Sequence, residues 1–310
     1  MDWKEVETPE PGPGQALIRV SAAGVSFADI LKIAGKHQAR DPLPFMPGTD
    51  VVGEVVAVGR DSQLREGERI MSTNPFGAYG EYTRVEEKIS YRVPNEISDV
   101  EAAAFSNAYQ SSYIGLVHHG QLNKGEFLLV HGAAGALGLA AVQIGKLLGA
   151  TVIATASTEE KLQACRRHGA DHAINYRQDS FVDAVIEFTG GHGADVIYDP
   201  VGGDVFDMSR RCIAFRGRLV VAGFTSGRIP EIKANRLLLR TFTLTGFSLD
   251  GYLKHQPHLL DEAQEELFRM YTRAGLKPVI SQVMPFAALK RAMELVESRQ
   301  SIGKVVVLPD

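Results

Sequence analysis

The stretch VHGAAGALGLAAVQIGKLLGA, Val130 to Ala150, constrains the fold more than any other part of this 310-residue chain. The apolar run FLLV leads into it, and Gly132, Gly135 and Gly138 follow at three-residue spacing. Beyond the turn, Leu137, Ala141, Ile144 and Leu148 fall on one helical face that suits packing on a sheet. Glycine lets the backbone approach a pyrophosphate, and the helix N-terminus adds free N–H donors and a positive dipole end. The pattern is a variant of G-x-G-x-x-G with Ala133 and Ala134 before the middle glycine. Strand, turn, helix and the second strand TVIATAS occur in the order a dinucleotide site requires. The plainer alternative is a tight strand-to-helix turn with no ligand.

Strand and helix signals alternate around this turn. FLLVHG, TVIATAS, HAINY, ADVIYDPVG, RLVVAGF and FTLTGFS read as strands with helices between most of them, the pattern of a parallel sheet covered on both faces. Before about Ser98 the chain is different. QALIRVSAAGVSF, DVVGEVVAVG and EGERIMSTNPFGAYGEYTRV are strands and turns, and PLPFMPGTD is a proline-stiffened connection. Near the end, HLLDEAQEELFRMYTRAGL has Leu260, Ala263, Leu267 and Met270 at helical spacing. FAALKRAMELVESRQ is a further helix and GKVVVLP a last strand, which returns to the β-rich part.

Composition narrows the function. With 45% hydrophobic and 23% charged residues the chain is globular, and its formal net charge of -4 argues against nucleic acid as a partner. No apolar run is long enough to cross a bilayer, and MDWKEVETPEPGPG is unlike a signal peptide. Cys165 and Cys212 alone make no disulfide framework. These features predict a soluble cytoplasmic protein.

The second strand bears on cofactor choice. An NAD site places Asp or Glu at its end for the ribose 2′-OH, whereas Thr155, Ala156 and Ser157 stand here. Without that carboxylate a 2′-phosphate is not repelled, and Ser157 and Lys161 can bind it. NADPH is therefore expected over NADH, although Glu159 and Glu160 lie close and Lys161 has the alternative of a solvated helix charge.

GAAGALGLAAVQIGKLLGATVIATASTEEK, GADHAINY, DVIYDPVGGD and GRLVVAGFTSG together resemble the coenzyme domain of the medium-chain dehydrogenase/reductase superfamily. GVSFADILKIAG, PFMPGTDVVGEVVAVG and GAYGEYTRV resemble its zinc-free quinone oxidoreductase, or zeta-crystallin-like, branch. The resemblance implies an α/β protein: a Rossmann doubly wound parallel sheet, 106–254, plus a discontinuous GroES-like β-rich domain, 1–105 and 255–310. It implies hydride transfer from NADPH in the cleft between the domains, and a homodimer, with FTLTGF as a candidate edge for pairing. By position it places Ser111 beside the nicotinamide, Gly132 and Ala134 through Gly138 (Ala134, Gly135, Ala136, Leu137, Gly138) at the pyrophosphate, and Ser157 and Lys161 at the 2′-phosphate. Tyr176 matches a residue beside the adenosine phosphate, and Gly223, Phe224, Phe247, Ser248 and Lys304 match the nicotinamide side. The chain departs from the branch at Ser26, usually Asn, and Leu31, often Tyr. The resemblance also implies an opening β-hairpin ahead of this chain's first residues.

Zinc-dependent members bind their metal through Cys and a Gly-His-Glu motif. Here Ser26 stands at the cysteine position and PGTD replaces the motif, so Thr49 and Asp50 offer no imidazole and no zinc is expected. His118, His119 and His192 read as surface or packing residues. A quinone or activated alkene accepts hydride without a Lewis acid because its own carbonyl spreads the charge. The Ser26 and Tyr82 hydroxyls are candidate proton donors, each with a structural hydrogen bond as the alternative role. Asp29 and Asp50 read as loop-stabilising, and Asp199 as organising its strand end. Three functions follow: an NADPH-dependent quinone oxidoreductase; an NADPH-dependent reductase of an α,β-unsaturated carbonyl or enoyl/acryloyl compound, with Arg40, Arg84, Arg236 and Arg240 available for an anionic substrate arm; and, least favoured, a cofactor-binding structural or RNA-binding crystallin-like protein.

Overall fold

The computed structural model describes residues 3–38 and 42–310, and Arg40 lies outside them. The chain divides into two compact units, Met1–Asn107 with Lys277–Asp310, and Ala108–Leu276. The last helix before the return, Pro257–Ala274, falls in the second unit, so the change of unit comes at Leu276/Lys277 rather than at residue 255. Its buried Leu260 packs with Ile114 and Ala263, both residues of that unit.

The first unit begins with β1 (Gln15–Val25), the short helix α1 (Phe27–Ile33), β2 (Asp50–Val58), β3 (Arg69–Thr73), β4 (Tyr82–Glu86) and β5 (Ser90–Arg92). Helix α2 (Asp99–Tyr113) carries the chain across the boundary and runs into a π-helical turn, Ile114–His119.

The second unit then alternates as its sequence predicts: β6 (Phe127–Val130), α3 (Ala136–Leu147), β7 (Thr151–Ala156), α4 (Glu159–Arg167), β8 (His172–Asn175), α5 (Phe181–Phe188), β9 (Ala194–Asp199), α6 (Gly203–Ser209), β10 (Ile213–Val221), α7 (Asn235–Arg240), β11 (Thr243–Gly246), α8 (Leu249–His255) and α9 (Pro257–Ala274). Its six described strands are all parallel, in the order β11-β10-β9-β6-β7-β8. This is the doubly wound arrangement with its switch point beside β6. Leu129, Ile153, Ile197 and Leu219 line up across the strands and are fully buried, as strands covered on both faces require. Helix α3 sits close on β6 because Gly145 lacks a side chain: a Cβ there would stand 2.3 Å from Leu128 Cδ2.

The chain returns to the first unit with β12 (Ile280–Pro285), α10 (Leu289–Glu297) and β13 (Lys304–Leu308). Among the described residues that sheet runs β12-β13-β1-β2-β3-β5, with β4 also paired to β1. β13 pairs antiparallel with β1, Ala23 opposite Val307. Ile18, Val20, Val55, Ile70, Val85, Leu289 and Val305 form its core.

Candidate functional site

The expected cofactor residues of the second unit gather at the carboxyl ends of its parallel strands. Gly132 through Gly138 follow β6, Ser157 follows β7, Tyr176 follows β8, Gly223 and Phe224 follow β10, and Phe247 and Ser248 follow β11. Ligands of open parallel sheets bind at these strand ends, beside the switch point.

The glycine turn is built for close approach. Gly132 has φ +56, and its carbonyl accepts from the Gly135 amide at 3.0 Å. The Ala133 amide donates to the Thr155 carbonyl at 3.1 Å, tying the turn to β7. Gly135 is the N-cap of α3 and has no side chain to accept from the first-turn amides of Ala136, Leu137 and Gly138. These donors are left for an anion. From α2, the Ser112 hydroxyl donates to the Leu137 carbonyl at 2.9 Å, and Ser111 precedes it on the same helix.

At the end of β7, Thr158 caps α4 through Lys161 N, and Ser157 and Lys161 are both half-buried. The Tyr176 amide donates to the Ala156 carbonyl at 3.2 Å, which brings Tyr176, 41% exposed, to the same strand end. No carboxylate replaces Ser157 at the end of the strand.

Asp199, at the end of β9, is fully buried. Its Oδ1 accepts from the amides of Val201 at 2.8 Å and Gly202 at 3.0 Å, so it organises the strand end as its sequence position suggests. Its Oδ2 is buried without a hydrogen-bond partner, and burial holds the carboxyl above the usual aspartate range. The loop after β10 is laced to this strand end: Thr225 and Ser226 amides donate to the Pro200 and Val201 carbonyls at 3.1 and 2.9 Å, and the Phe224 ring lies against Gly202. The Phe247 ring lies over Gly115 of the π-helical turn and stacks on His119, centroids 5.3 Å apart. Ser248 caps α8 through Gly251 N. His119 bonds Thr245 Oγ1 at 2.8 Å and the Tyr252 hydroxyl at 2.9 Å, a packing role that fits its reading from sequence.

His131 is a residue the sequence reading passed over. It is fully buried behind the glycine turn. Ser209 Oγ donates to the Val205 carbonyl at 2.7 Å and therefore accepts from His131 Nε2–H at 2.8 Å, while His131 Nδ1 accepts from the Thr155 hydroxyl at 3.0 Å. Burial lowers its pKa to about 3, so the ring is neutral. A neutral imidazole, one N–H and one lone pair, suits these partners, and the Thr155 hydroxyl has a second acceptor in the Val130 carbonyl at 3.4 Å.

Ser26, Tyr82 and Lys304 belong to the first unit. Ser26 precedes α1, and its amide and hydroxyl both donate to Asp29 Oδ2, at 2.9 and 3.0 Å. Tyr82 stands on β4 opposite Arg19 and is 38% exposed. The tyrosine that joins Ser26 is instead Tyr79, whose hydroxyl donates to Asp29 Oδ2 at 2.9 Å. Lys304 is 4% exposed, and its ammonium is held by Asp50 Oδ2. Asp50 Oδ1 accepts from the Ser106 hydroxyl at 2.7 Å and the Asn107 amide at 3.2 Å. A buried ammonium needs such a counter-charge, and Asp50 supplies it to Lys304.

The residues at the superfamily's zinc-ligand positions do not fit that ion. Ser26 and Thr49 offer only neutral hydroxyls, poor zinc ligands, both turned to Asp29, and the Asp50 carboxylate is paired with Lys304. Among the described residues no group of three His, Cys, Asp or Glu side chains is placed to hold a metal ion. Cys165 and Cys212 are buried, and burial pushes both thiols up to about 12.

Residues 12–95 match the family model of the alcohol dehydrogenase GroES-like domain, and residues 136–266 that of the zinc-binding dehydrogenase. A quinone oxidoreductase-like protein 2 homolog from Nematostella vectensis is 39% identical over 300 residues, 96% of this chain and 82% of that protein. The crystal structure of Escherichia coli quinone oxidoreductase complexed with NADPH superposes with a TM-score of 0.93 at 30% identity, covering 99% of this chain and 95% of that one. That of a 2-haloacrylate reductase gives 0.86 at 31%, covering 100% and 95%. The two matched domains, the parallel sheet with its glycine turn and these whole-length relatives agree: the chain belongs to the medium-chain dehydrogenase/reductase superfamily, in its quinone oxidoreductase-like branch.

Proposed function

We propose that this protein is an NADPH-dependent oxidoreductase that reduces quinones without a zinc ion. The observation that carries the cofactor is the row of strand ends, with side-chain-free Gly135 capping α3 and Ser157 and Lys161 where an NAD site has its acid. Bound there, NADPH supplies a hydride, the step a cofactor rather than the protein performs. The chain's own residues hold and orient: first-turn amides on the pyrophosphate, Ser157 and Lys161 on the 2′-phosphate, and Gly223, Phe224, Phe247 and Ser248 toward the nicotinamide. Zinc independence is supported by Ser26 and Thr49, whose neutral hydroxyls are poor zinc ligands, and by Asp50, whose carboxylate is paired with Lys304. A quinone suits such a site because it delocalises the incoming charge itself.

A second reading is reduction of an α,β-unsaturated carbonyl, enoyl or acryloyl compound. The full-length likeness to a 2-haloacrylate reductase favours it. A homodimer accompanies either reading. β11 is the terminal strand of its sheet, and the neighbouring α7 exposes Leu238 at 76% and Leu239 at 68%, a surface suited to a second copy. Among the described residues no helix is long and apolar enough to cross a membrane.

NADPH oxidation by the purified protein against 1,4-benzoquinone, 9,10-phenanthrenequinone, an enone and crotonyl-CoA, with NADH alongside, tests both readings. Quinone turnover with NADPH supports the first, and preference for the alkenes moves the assignment to the second. Failure to bind NADPH overturns both.

A further inference from the structure

Ser112 and His119 stand at the two ends of one helical segment of the second unit, and each is tied to a different end of the proposed cofactor site. At the first end the fully buried Ser112 hydroxyl donates to the Leu137 carbonyl at 2.9 Å, in the first turn of α3 among the amides proposed to hold the pyrophosphate. The Tyr198 hydroxyl lies 3.4 Å from the same Ser112 oxygen. At the second end His119 bonds Thr245 of β11 at 2.8 Å and Tyr252 of α8 at 2.9 Å. Those two partners flank Phe247 and Ser248 in the chain. One imidazole therefore holds both sides of the turn that carries the proposed nicotinamide contacts, and its ring also stacks on Phe247. Each nitrogen meets a hydroxyl, which both donates and accepts, so the grip holds in either tautomer. The turn has little else to fix it. No residue of β11 or α8 is buried, Phe247 is half-buried and Ser248 is exposed. Gly115 and His119, four residues apart on the π-helical turn, both meet the Phe247 ring, and a Cβ at Gly115 would stand 2.9 Å from it.

We infer that the segment Ser112–His119 is a spacer that sets the nicotinamide end of the site relative to its pyrophosphate end, and that His119 is its positioning residue, acting through Phe247 and Ser248. The inference rests on the reading above, in which NADPH lies along these strand ends. The two halves of that cofactor are joined covalently, so both turns must stand at a matching separation for both halves to be held. Ser112 fixes the segment to one turn and His119 fixes it to the other. When the His119 grip is lost, the adenosine half keeps its own contacts at β7 and β8, while the turn after β11 no longer has a set place. The hydride donor is then poorly oriented, and orientation is what the chain's own residues contribute to the reaction.

The test compares NADPH with adenosine 2′,5′-bisphosphate, which carries the 2′-phosphate but no nicotinamide, in binding titrations. His119→Ala should weaken NADPH roughly tenfold, the worth of one or two neutral hydrogen bonds, and leave adenosine 2′,5′-bisphosphate within about twofold. His119→Gln keeps one donor and one acceptor and should recover part of the loss. Tyr252→Phe removes one of the two bonds, leaves the imidazole in place and should show a smaller shift in the same direction. A merely structural role for His119 would weaken both nucleotides together. The inference is overturned if His119→Ala lowers the two affinities equally or changes neither. It is overturned as well if the wild type binds NADPH no more tightly than adenosine 2′,5′-bisphosphate, since the nicotinamide end then contributes no hold for His119 to set. A wild type that binds neither nucleotide overturns the proposed function itself. If His119→Ala does not fold, His119→Gln and Tyr252→Phe carry the same comparison.

Discussion

Gly138 lies directly against the carbonyl of Gly132: a Cβ at position 138 would stand 2.4 Å from that oxygen and 2.6 Å from Ala133 Cα. Both obstacles are backbone and cannot swing aside. Gly135 is different, with φ -75 and a Cβ that would meet only the Gly132 oxygen at 3.5 Å. Gly138→Ala should therefore destabilise the fold by about 3 kcal/mol. Gly135→Ala should cost the fold about 1 kcal/mol or less. Its added methyl should nevertheless weaken NADPH roughly tenfold or more by occupying the pyrophosphate's approach. Urea unfolding and cofactor titration of the two variants separate the effects.

Lys161→Ala should weaken NADPH by roughly 10–100-fold, the range of a charge-assisted hydrogen bond, and leave NADH nearly unchanged. Fluorescence titration with both nucleotides measures it. Equal losses would mean that Lys161 does not meet the 2′-phosphate.

His131 makes stability pH-dependent in a stated direction. Its pKa is about 3 in the fold, against 6.5 for an ordinary histidine, so the unfolded chain binds the proton first. Its stabilising contribution is full above 6.5 and declines as pH falls from there toward 3, by about 2 kcal/mol at pH 5. The raised carboxyls of Asp29 and Asp199 act with the opposite sign, their stability being lost as pH rises. Comparing wild type with His131→Asn isolates the imidazole. The wild type should lose more stability than the variant between pH 7 and pH 5 in denaturant titrations.

If the proposed homodimer forms through this face, Leu238→Asp combined with Leu239→Asp should make it monomeric in sedimentation experiments and leave the circular dichroism spectrum unchanged. Both side chains are already exposed in the single chain, so their replacement removes no core contact.

The second unit was legible because its strands are short apolar runs punctuated by glycine, and each of the six became a strand of the parallel sheet. The glycine turn could be read for the same reason: its spacing is local. What escaped depends on partners far along the chain. Nothing around Tyr79 or Tyr82 shows which tyrosine reaches a carboxylate 50 residues earlier, and the side chain at 79 does. Lys304 matches a nicotinamide-side position in sequence, and nothing near it in the chain announces its ion pair with Asp50. The π-helical turn at Ile114–His119 has no sequence signature of its own: it adds one residue per turn to an otherwise ordinary apolar helix. His131 has no local signal of a role, and burial together with the hydroxyls of Thr155 and Ser209, from β7 and α6, makes it a neutral structural group.

The first unit is interrupted by the second, and this sets an order of assembly on the ribosome. Asp50 and Lys304 are 254 residues apart, and β1 pairs with β13 at the far end of the chain. The inserted unit is continuous and can fold while synthesis is still under way. The β-rich unit must wait with the Ala23–Val25 end of β1 unpaired on one side, and with a carboxylate lacking its cation, until the last strand is released. A chain that stalls before Lys304 would thus present a finished nucleotide-binding half joined to an open sheet, the form that quality-control proteases and chaperones would meet.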